Sequence, residues 1–186
     1  MVNYAYIALG SNLNLEGCSP KDLLKEAIAE LNKSDLQAKS ISRFFKNPAF
    51  PIGSGPDFVN AAIKVRTHEI AQNVMDQLHA IEKKFGRSRK KRWGERTLDL
   101  DLIAFGRSIK PNKSVYFYWH NLNEERRRNE APCNLILPHP RMHERVFVLI
   151  PMLDIAPDWI HPVLMKNTSQ LCDDLSNEAI SELTCV

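Results

Sequence analysis

Leucine and aspartate alternate over residues 98–102, and this alternation constrains the fold more than any other feature of the chain. The order is Leu98, Asp99, Leu100, Asp101, Leu102. Successive side chains of a β-strand point to opposite faces, so the leucines would enter a core. The two aspartates would then point together out of the other face, about 7 Å apart along the strand. The sequence therefore predicts a half-buried strand that carries two aligned carboxylates.

A cluster of cations lies just before these aspartates. Its members are Lys83, Lys84, Arg87, Arg89, Lys90, Lys91, Arg92 and Arg96. Paired carboxylates suit Mg²⁺, which prefers oxygen ligands and shares them with substrate phosphates. Carboxylates for a metal beside cations for phosphate are typical of phosphoryl transfer. A solvated strand face and a nucleic-acid patch are the alternative interpretations of the same pattern.

Length and cysteine usage bound the kind of protein. We expect residues 1–186 to form one domain with an adequate core. The sequence has no apolar run long enough to span a bilayer and no signal-peptide pattern. Four scattered cysteines indicate reduced thiols in a cytoplasmic protein. Cys133, His139 and His143 have spacings that zinc could use, but a fourth ligand is not evident nearby, so we do not expect zinc.

Hydrophobic periodicity and turn signals predict alternating strands and helices. In chain order they are a strand over 4–9 that ends at the turn 10–12, a helix beginning at Pro20 with Ser19 as its N-cap, a strand over 37–46, a loop over 47–57, a strand over 58–66, a helix ending at Gly86, a loop over 87–95 and a strand over 96–105. This β-α-β-β-α-β order is the ferredoxin-like pattern of an α+β fold. We predict an extended hairpin with a mobile, charged tip over 106–134 and a short helix over 169–181.

Four segments in order resemble the motifs of one enzyme family. They are Ala5–Leu13, Pro56–Ala62, Arg92–Asp101 and Leu137–Leu149. On these motifs the chain resembles the 6-hydroxymethyl-7,8-dihydropterin pyrophosphokinases of folate biosynthesis. The resemblance implies a ferredoxin-like βαββαβ core with additional C-terminal elements. It also implies transfer of pyrophosphate from ATP to the hydroxymethyl group of the pterin, with release of AMP. Residues 106–134 are longer than the matching connection in typical family members.

The resemblance implies which residues form the ATP side of the site. Asp99 and Asp101 would hold two Mg²⁺ ions. Arg87 and Arg96 would act in catalysis, stabilising charge as the basic loop closes over ATP as a lid. The other ATP-contacting residues implied are Glu82, Arg89, Arg92, Trp93, His139 and Arg145. The role of His79 stays open.

The same resemblance implies a pterin site. Phe58 and Phe147 match two rings that sandwich the pterin, and Asn60 matches an asparagine that hydrogen-bonds its edge. Stacking suits a flat heterocycle, and an amide offers both a donor and an acceptor. Pro48 and Phe50 fall in the loop whose backbone contacts the pterin. Read without the resemblance, the two phenylalanines are core residues and the asparagine is a strand-end cap.

Two other functions compete with the kinase. A basic nucleic-acid-binding module without turnover is favoured by the basic loop with Trp93 and by the run Arg126–Arg128. The aspartate pair argues against it, because carboxylates repel a phosphate backbone. A pterin-binding enzyme without kinase activity is the third reading, and the complete aspartate pair argues against that one too. We therefore expect ATP and the pterin as partners, with neither nucleic acid nor a membrane.

Overall fold

One antiparallel β-sheet with helices against both faces organises the chain. The computed structural model describes residues 2–49, 53–86 and 96–186. The strands are β1 (Asn3–Ser11), β2 (Gln37–Ile41), β3 (Phe45–Asn47), β4 (Phe58–Thr67), β5 (Asp99–Phe105) and β6 (Thr184–Cys185). The helices are α1 (Pro20–Leu31), α2 (Ala71–Lys84), α3 (Lys113–His120), α4 (Glu124–Asn129), α5 (Val146–Ile155), α6 (Thr168–Asp173) and α7 (Asn177–Ser181), with a short 3-10 helix at Met142–Glu144.

Strand β1 lies inside the sheet, between β4 and β5. The order is β5-β1-β4-β3-β6, and β2 also pairs with β4. Each of these pairings is antiparallel. Strand β4 is long enough to pair with β3 over its first residues and with β2 over its later ones. The prediction of a fold that mixes helices with an antiparallel sheet is confirmed.

Alternate residues of β1 enter two separate cores. Ala5, Ile7 and Leu9 pack in a cluster with apolar residues of α1 and α2. Tyr6 and Ala8 point the other way and pack with α5 and α6. The sheet is therefore the middle layer of three, and a polar side chain on β1, β4 or β5 faces one helical layer or the other.

Helix α1 begins where the sequence predicts. The Ser19 side chain accepts a hydrogen bond from the Asp22 amide at 3.3 Å, and Pro20 occupies the first turn. That proline costs little there, because the first amides of a helix have no intrahelical partner. The buried face of the helix consists of Leu23, Leu24, Ala27, Ile28 and Leu31.

The prediction of one strand over 37–46 is wrong, because the structure breaks it into β2 and β3. At the break, the Ser42 hydroxyl accepts the Ala62 amide at 2.9 Å, a role that a backbone carbonyl has in a regular ladder. Arg43 turns away to Asp154 of α5, with contacts of 2.7 and 3.0 Å. At the other predicted bounds, β1 continues through Gly10 to Ser11, and β5 begins three residues later than predicted.

The prediction of a hairpin over 106–134 is also wrong, because this segment contains α3 and α4. Asn112 and Asn123 cap the two helices by accepting amides at 3.0 and 2.9 Å. Of the four consecutive aromatic residues at 116–119, Tyr116 lies in the interior of the protein. The C-terminal prediction of one short helix is replaced by two, α6 and α7.

Candidate active site

The two carboxylates of β5 project from the sheet as the alternation predicts. Asp99 and Asp101 are half-buried, whereas Leu100 and Leu102 are buried in the core with α1 and α2. Asp101 pairs with Ala8 and Asp99 with Gly10 across the β1–β5 ladder. Because Ala8 packs against the α5 layer, both carboxylates lie on that side of the sheet.

Each aspartate meets an arginine. Arg96 forms an ion pair with Asp99 three residues later. Arg145 lies at the start of α5, and its Nη1 is 3.5 Å from Oδ2 of Asp101. Burial lowers the pKa of Arg145, and the charge of Asp101 opposes that shift. Anionic and cationic groups therefore share one region, where a cation and a phosphate could be held together.

A cleft of about 460 Å³ opens beside Asp101. Of the predicted ATP residues, Asp101, His139 and Arg145 line it together. The volume is within the range of small-molecule sites, about 300–1,000 Å³. His79, whose role the sequence left open, lines the same cleft from α2.

His139 is held as a neutral ring at the wall of this cleft. Its amide donates to the Ile103 carbonyl at 2.7 Å, and its Nδ1 accepts the Arg141 amide at 3.2 Å. Because Nδ1 accepts, the ring proton is on Nε2, which can donate to an oxygen. Burial first, and then the charges of Arg145 and Arg141, keep the pKa of His139 well below its usual range.

Glu82 supports the strand that carries the aspartates. Its side chain is 2% exposed, and Oε1 accepts the Leu100 amide at 2.7 Å. This amide lies between Asp99 and Asp101 on β5, which is at the edge of the sheet. The structure thus shows one role for this carboxylate, on the backbone of β5, and the ATP contact predicted for Glu82 stays a prediction.

The predicted pterin residue Asn60 lies across β1 from Asp99. Gly10 pairs with Asn60 on one side and with Asp99 on the other. A Cβ atom at Gly10 would lie 3.0 Å from Oδ1 of Asn60, so a larger residue would displace the amide. The Asn60 amide donates to Oδ1 of Asn47 at 2.5 Å, and Asn47 donates to the carbonyl of half-buried Pro48 at 2.8 Å.

The two predicted stacking rings lie on the same side of the sheet. Phe58 begins β4 and alternates with Asn60 and Ala62, and Ala62 packs against α5. Phe147 is in the first turn of α5, with the Arg145 guanidinium 5.7 Å from its ring centroid. Both rings are half-buried, so each keeps an accessible surface. They do not line the cleft at Asp101, and the predicted ATP and pterin residues therefore occupy adjacent places.

Asn12 is a site residue that the sequence did not reveal. It is 3% exposed, and its Oδ1 accepts the Arg96 amide at 2.8 Å. Its Nδ2 donates to the Pro56 carbonyl at 3.1 Å. One side chain thus joins the turn after β1 to both segments that precede the functional strands. Five predicted site residues lie outside the described residues: Phe50, Arg87, Arg89, Arg92 and Trp93.

The donor set fits a hard cation that keeps other ligands. In the described ranges, no group of three or more His, Cys, Asp or Glu side chains could hold a metal ion. Two carboxylates on one strand face are what Mg²⁺ uses when phosphates and water complete its shell. Among the residues that the structure describes, no helix is long and apolar enough to cross a membrane.

Carboxylates beside arginines in a cleft of nucleotide size are typical of phosphoryl-transfer enzymes. Residues 6–157 match the sequence profile of the family described as 7,8-dihydro-6-hydroxymethylpterin-pyrophosphokinase, or HPPK. The chain therefore belongs to this family of pyrophosphokinases.

Two curated relatives agree with the family match. The 2-amino-4-hydroxy-6-hydroxymethyldihydropteridine pyrophosphokinase of Haemophilus influenzae is 36% identical over 159 residues, which are 85% of this chain and 84% of that protein. The protein of the same name from Synechocystis sp. is 34% identical over 177 residues, or 95% of this chain and 78% of that one.

Solved structures support the fold. A Plasmodium falciparum HPPK-DHPS structure superposes with a TM-score of 0.63 at 14% sequence identity. The match covers 93% of this chain and 45% of that one, so the chain spans less than half of the larger protein. At this level of identity, the likeness concerns the fold alone.

Proposed function

We propose that the family's reaction takes place where the cleft at Asp101 meets the Asn60 side of the sheet. The reaction is transfer of the pyrophosphoryl group of ATP to 6-hydroxymethyl-7,8-dihydropterin in folate biosynthesis. The observation that carries the location is the row Asp99, Gly10, Asn60 across three neighbouring strands. A phosphate held at the carboxylates would thereby lie next to a pterin held at the amide.

Asp99 and Asp101 are the proposed Mg²⁺ ligands, and two ions are expected there. When bound, Mg²⁺ would neutralise phosphate charge beside β5. Both carboxylates already share their surroundings with guanidinium groups, which suits a site for ions of both signs.

ATP is the proposed occupant of the cleft. Arg145 would bind phosphate oxygens through its guanidinium, and His139 would donate from Nε2 to an oxygen of the nucleotide. Glu82 would act by holding β5 in place through the Leu100 amide. Arg87 and Arg96 stay the proposed catalytic cations, with Arg89, Arg92 and Trp93 as further ATP contacts. Of these, Arg96 lies within the described residues and pairs with Asp99.

The pterin is proposed to lie between Phe58 and Phe147, with its edge at Asn60. Pro48 and Phe50 would border it from the loop before β4. In the reaction, the hydroxymethyl oxygen bonds to the β-phosphorus and loses its proton to solvent. The bond between that phosphorus and the oxygen bridging to the α-phosphorus breaks, and AMP leaves with the bridging oxygen. Positioning and charge neutralisation supply most of the rate enhancement in such transfers.

Three broader features of the proposal follow from the fold. In the sheet, β5, β1 and β4 lie side by side, and β2 and β3 together take the next place beside β4. This order supports a ferredoxin-like βαββαβ core. We propose that residues 1–186 form a single pyrophosphokinase domain with additional C-terminal elements. Four free cysteines support a cytoplasmic location.

The nucleic-acid interpretation loses support in the structure. Arg126 pairs with Glu130 at 2.6 Å, and Arg127 with Glu144 at 3.2 Å. Two of the three arginines that suggested a phosphate-binding patch are thus partnered by carboxylates.

The test is AMP release from ATP on addition of the pterin, measured across a Mg²⁺ titration. We expect pterin-dependent AMP and the pterin diphosphate from the unaltered chain. Asp99→Ala and Asp101→Ala should each lower turnover by about 100-fold or more, since each removes a proposed metal ligand. Circular dichroism should show both variants folded, because neither carboxylate is in a core. Near-normal turnover of both variants at low Mg²⁺ would contradict the metal assignment, and absence of AMP from the unaltered chain would contradict the function.

A further inference from the structure

Helices α3 and α4 form part of the wall of the ATP cleft. Trp119, Leu122 and Arg127 come from this helical segment and line the same cleft as Asp101 and Arg145. The segment therefore does more than connect β5 to the segment Leu137–Leu149. The α3–α4 segment can contribute to ligand binding if contacts with the rest of the protein hold it in place.

Three sets of contacts fix that position. At the entry to the segment, the Lys110 amide donates to the Leu137 carbonyl at 2.9 Å, and the reverse bond is 3.1 Å. In α3, Tyr116 is fully buried, with its hydroxyl 3.2 Å from Nε2 of His161. In α4, Arg127 donates to both oxygens of Glu144 at 3.2 and 3.3 Å. Each contact reaches the part of the chain that carries His139 and Arg145, or the core behind it.

The cleft has two kinds of lining. Charge and hydrogen-bond donors come from Asp101, His139 and Arg145, and also from Arg127, Glu130 and Arg141, whereas a second set of lining residues is apolar: Met75, Trp119, Leu122, Pro132, Leu135 and Ile136. A nucleotide has the same division, with an anionic triphosphate at one end and a flat base at the other. If the triphosphate lies at Asp101 and Arg145, the apolar lining residues are the ones that can bury the base.

Among the described lining residues, Trp119 is the only tryptophan, tyrosine or phenylalanine. It is half-buried, and the Tyr118 ring packs edge-on against it with centroids 5.4 Å apart. An indole fixed by a neighbouring ring, with part of its surface open to a cleft, is suited to stacking on a purine.

We propose that Trp119 is the platform on which the base of ATP stacks, so that α3 and α4 determine nucleotide affinity and base preference. This inference rests on the proposed function, because it takes the triphosphate to lie at Asp101. Trp119 is a binding residue in this proposal and takes no part in the chemical step. Its loss should therefore affect a nucleotide and spare a ligand that lacks a base.

Calorimetry with two probes tests this. The probes are α,β-methylene ATP and inorganic tripolyphosphate, each with Mg²⁺. Trp119→Ala should weaken binding of the ATP analogue by about 10-fold or more, because stacking on one base is worth that much. Binding of tripolyphosphate should stay as in the unaltered chain, and Trp119→Phe should retain most of the analogue affinity.

Phe117→Ala is the matched control. Phe117 is an exposed ring on the same helix, and it lines a different groove with Tyr118 and Asn123. Its removal should change neither affinity. Unchanged analogue binding in Trp119→Ala would overturn the inference, as would an equal loss of tripolyphosphate binding. If Trp119→Ala does not fold, Trp119→Leu compared with Trp119→Phe gives the same decision. An unaltered chain that binds neither probe would overturn the proposed function as well.

Discussion

Single residues set the spacing between the two proposed substrate sites. Gly10 separates Asn60 from Asp99 on neighbouring strands, and its missing side chain allows Asn60 to approach the backbone closely. The sequence made this glycine a turn signal, whereas the structure places it inside β1. A glycine inside a strand often marks such an approach. The adjacency of the proposed sites therefore depends on the absence of a Cβ atom.

Asn12→Ala should lower both stability and turnover. The side chain satisfies the Arg96 amide and the Pro56 carbonyl, and alanine leaves both without that partner. Water can replace Asn12 at the exposed Pro56, whereas leaving the half-buried Arg96 amide unsatisfied costs about 1–3 kcal/mol. Urea unfolding measures the first effect, and the AMP assay the second, where we expect a several-fold fall in kcat/KM.

Asn3→Ala provides the comparison for that substitution. Asn3 is at the other end of β1 and makes one side-chain bond, to the Glu69 carbonyl at 3.3 Å. We expect a smaller loss of stability and unchanged turnover. Equal losses of turnover in both variants would show that Asn12 acts through general stability and not through its link between the two segments.

The aspartate pair and Asn12 show what sequence can and cannot predict at this scale. The pair follows from an alternation within five residues, because strand geometry alone aligns the carboxylates. The contacts of Asn12 join it to residues 44 and 84 positions away. A polar residue after Gly10 and Ser11 indicates a turn, and the chain carries no local signal of those distant partners. The bond between Glu82 and the Leu100 amide lacks a local signal for the same reason, since the two residues are 18 positions apart.

At the scale of elements, regular periodicity predicted the strands and helices around the sheet, and it did not predict α3 and α4. Aromatic residues are enriched in strands, so the run 116–119 gives no local signal for a helix. In the structure, Asn112 and Asn123 cap two short helices, and the buried Tyr116 anchors the first. Short helices gain most of their stability from tertiary packing. A helix of eight residues fixed by one buried ring gives only a weak periodic signal.

Tyr116→Ala should destabilise the protein by about 3–5 kcal/mol, because it leaves a large cavity where a fully buried ring was. Tyr116→Phe keeps the ring and removes the hydroxyl partner of His161, for about 1–2 kcal/mol. Thermal unfolding distinguishes the two. Tyr118→Phe is the control on the same helix, since the Tyr118 hydroxyl bonds to Glu130 at the surface, and a change under about 0.5 kcal/mol is expected. Similar losses from Tyr116→Ala and Tyr118→Phe would contradict the anchoring role of α3.

At the scale of the whole molecule, histidine side chains connect the α3–α4 segment with the chain that follows it. His161 is fully buried, and its Nδ1 accepts the amides of Val163 and Leu164 at 3.2 and 3.1 Å. Its ring proton is therefore on Nε2, which faces the Tyr116 hydroxyl. His120 and His143 lie nearby, with ring centroids 4.5 Å apart. A proton added to His161 would have to replace an accepted hydrogen bond.

Stability should fall as the pH is lowered from about 6.5 toward 4. Burial first, and then the neighbouring His143 and His120, lower the pKa of His161 to about 4 in the folded protein, against about 6.5 in an unfolded chain. Between these values the unfolded state binds more protons than the folded state, so the free energy of unfolding decreases as pH falls. His161 alone accounts for up to about 3 kcal/mol by pH 4. Half-buried His139 and His143, whose pKa values are also lowered, act in the same direction. Urea unfolding at a series of pH values measures the slope. His161→Gln should flatten it, whereas His68→Gln, at an exposed position after β4, should keep it. An unaltered slope in His161→Gln would mean that another group carries the pH dependence.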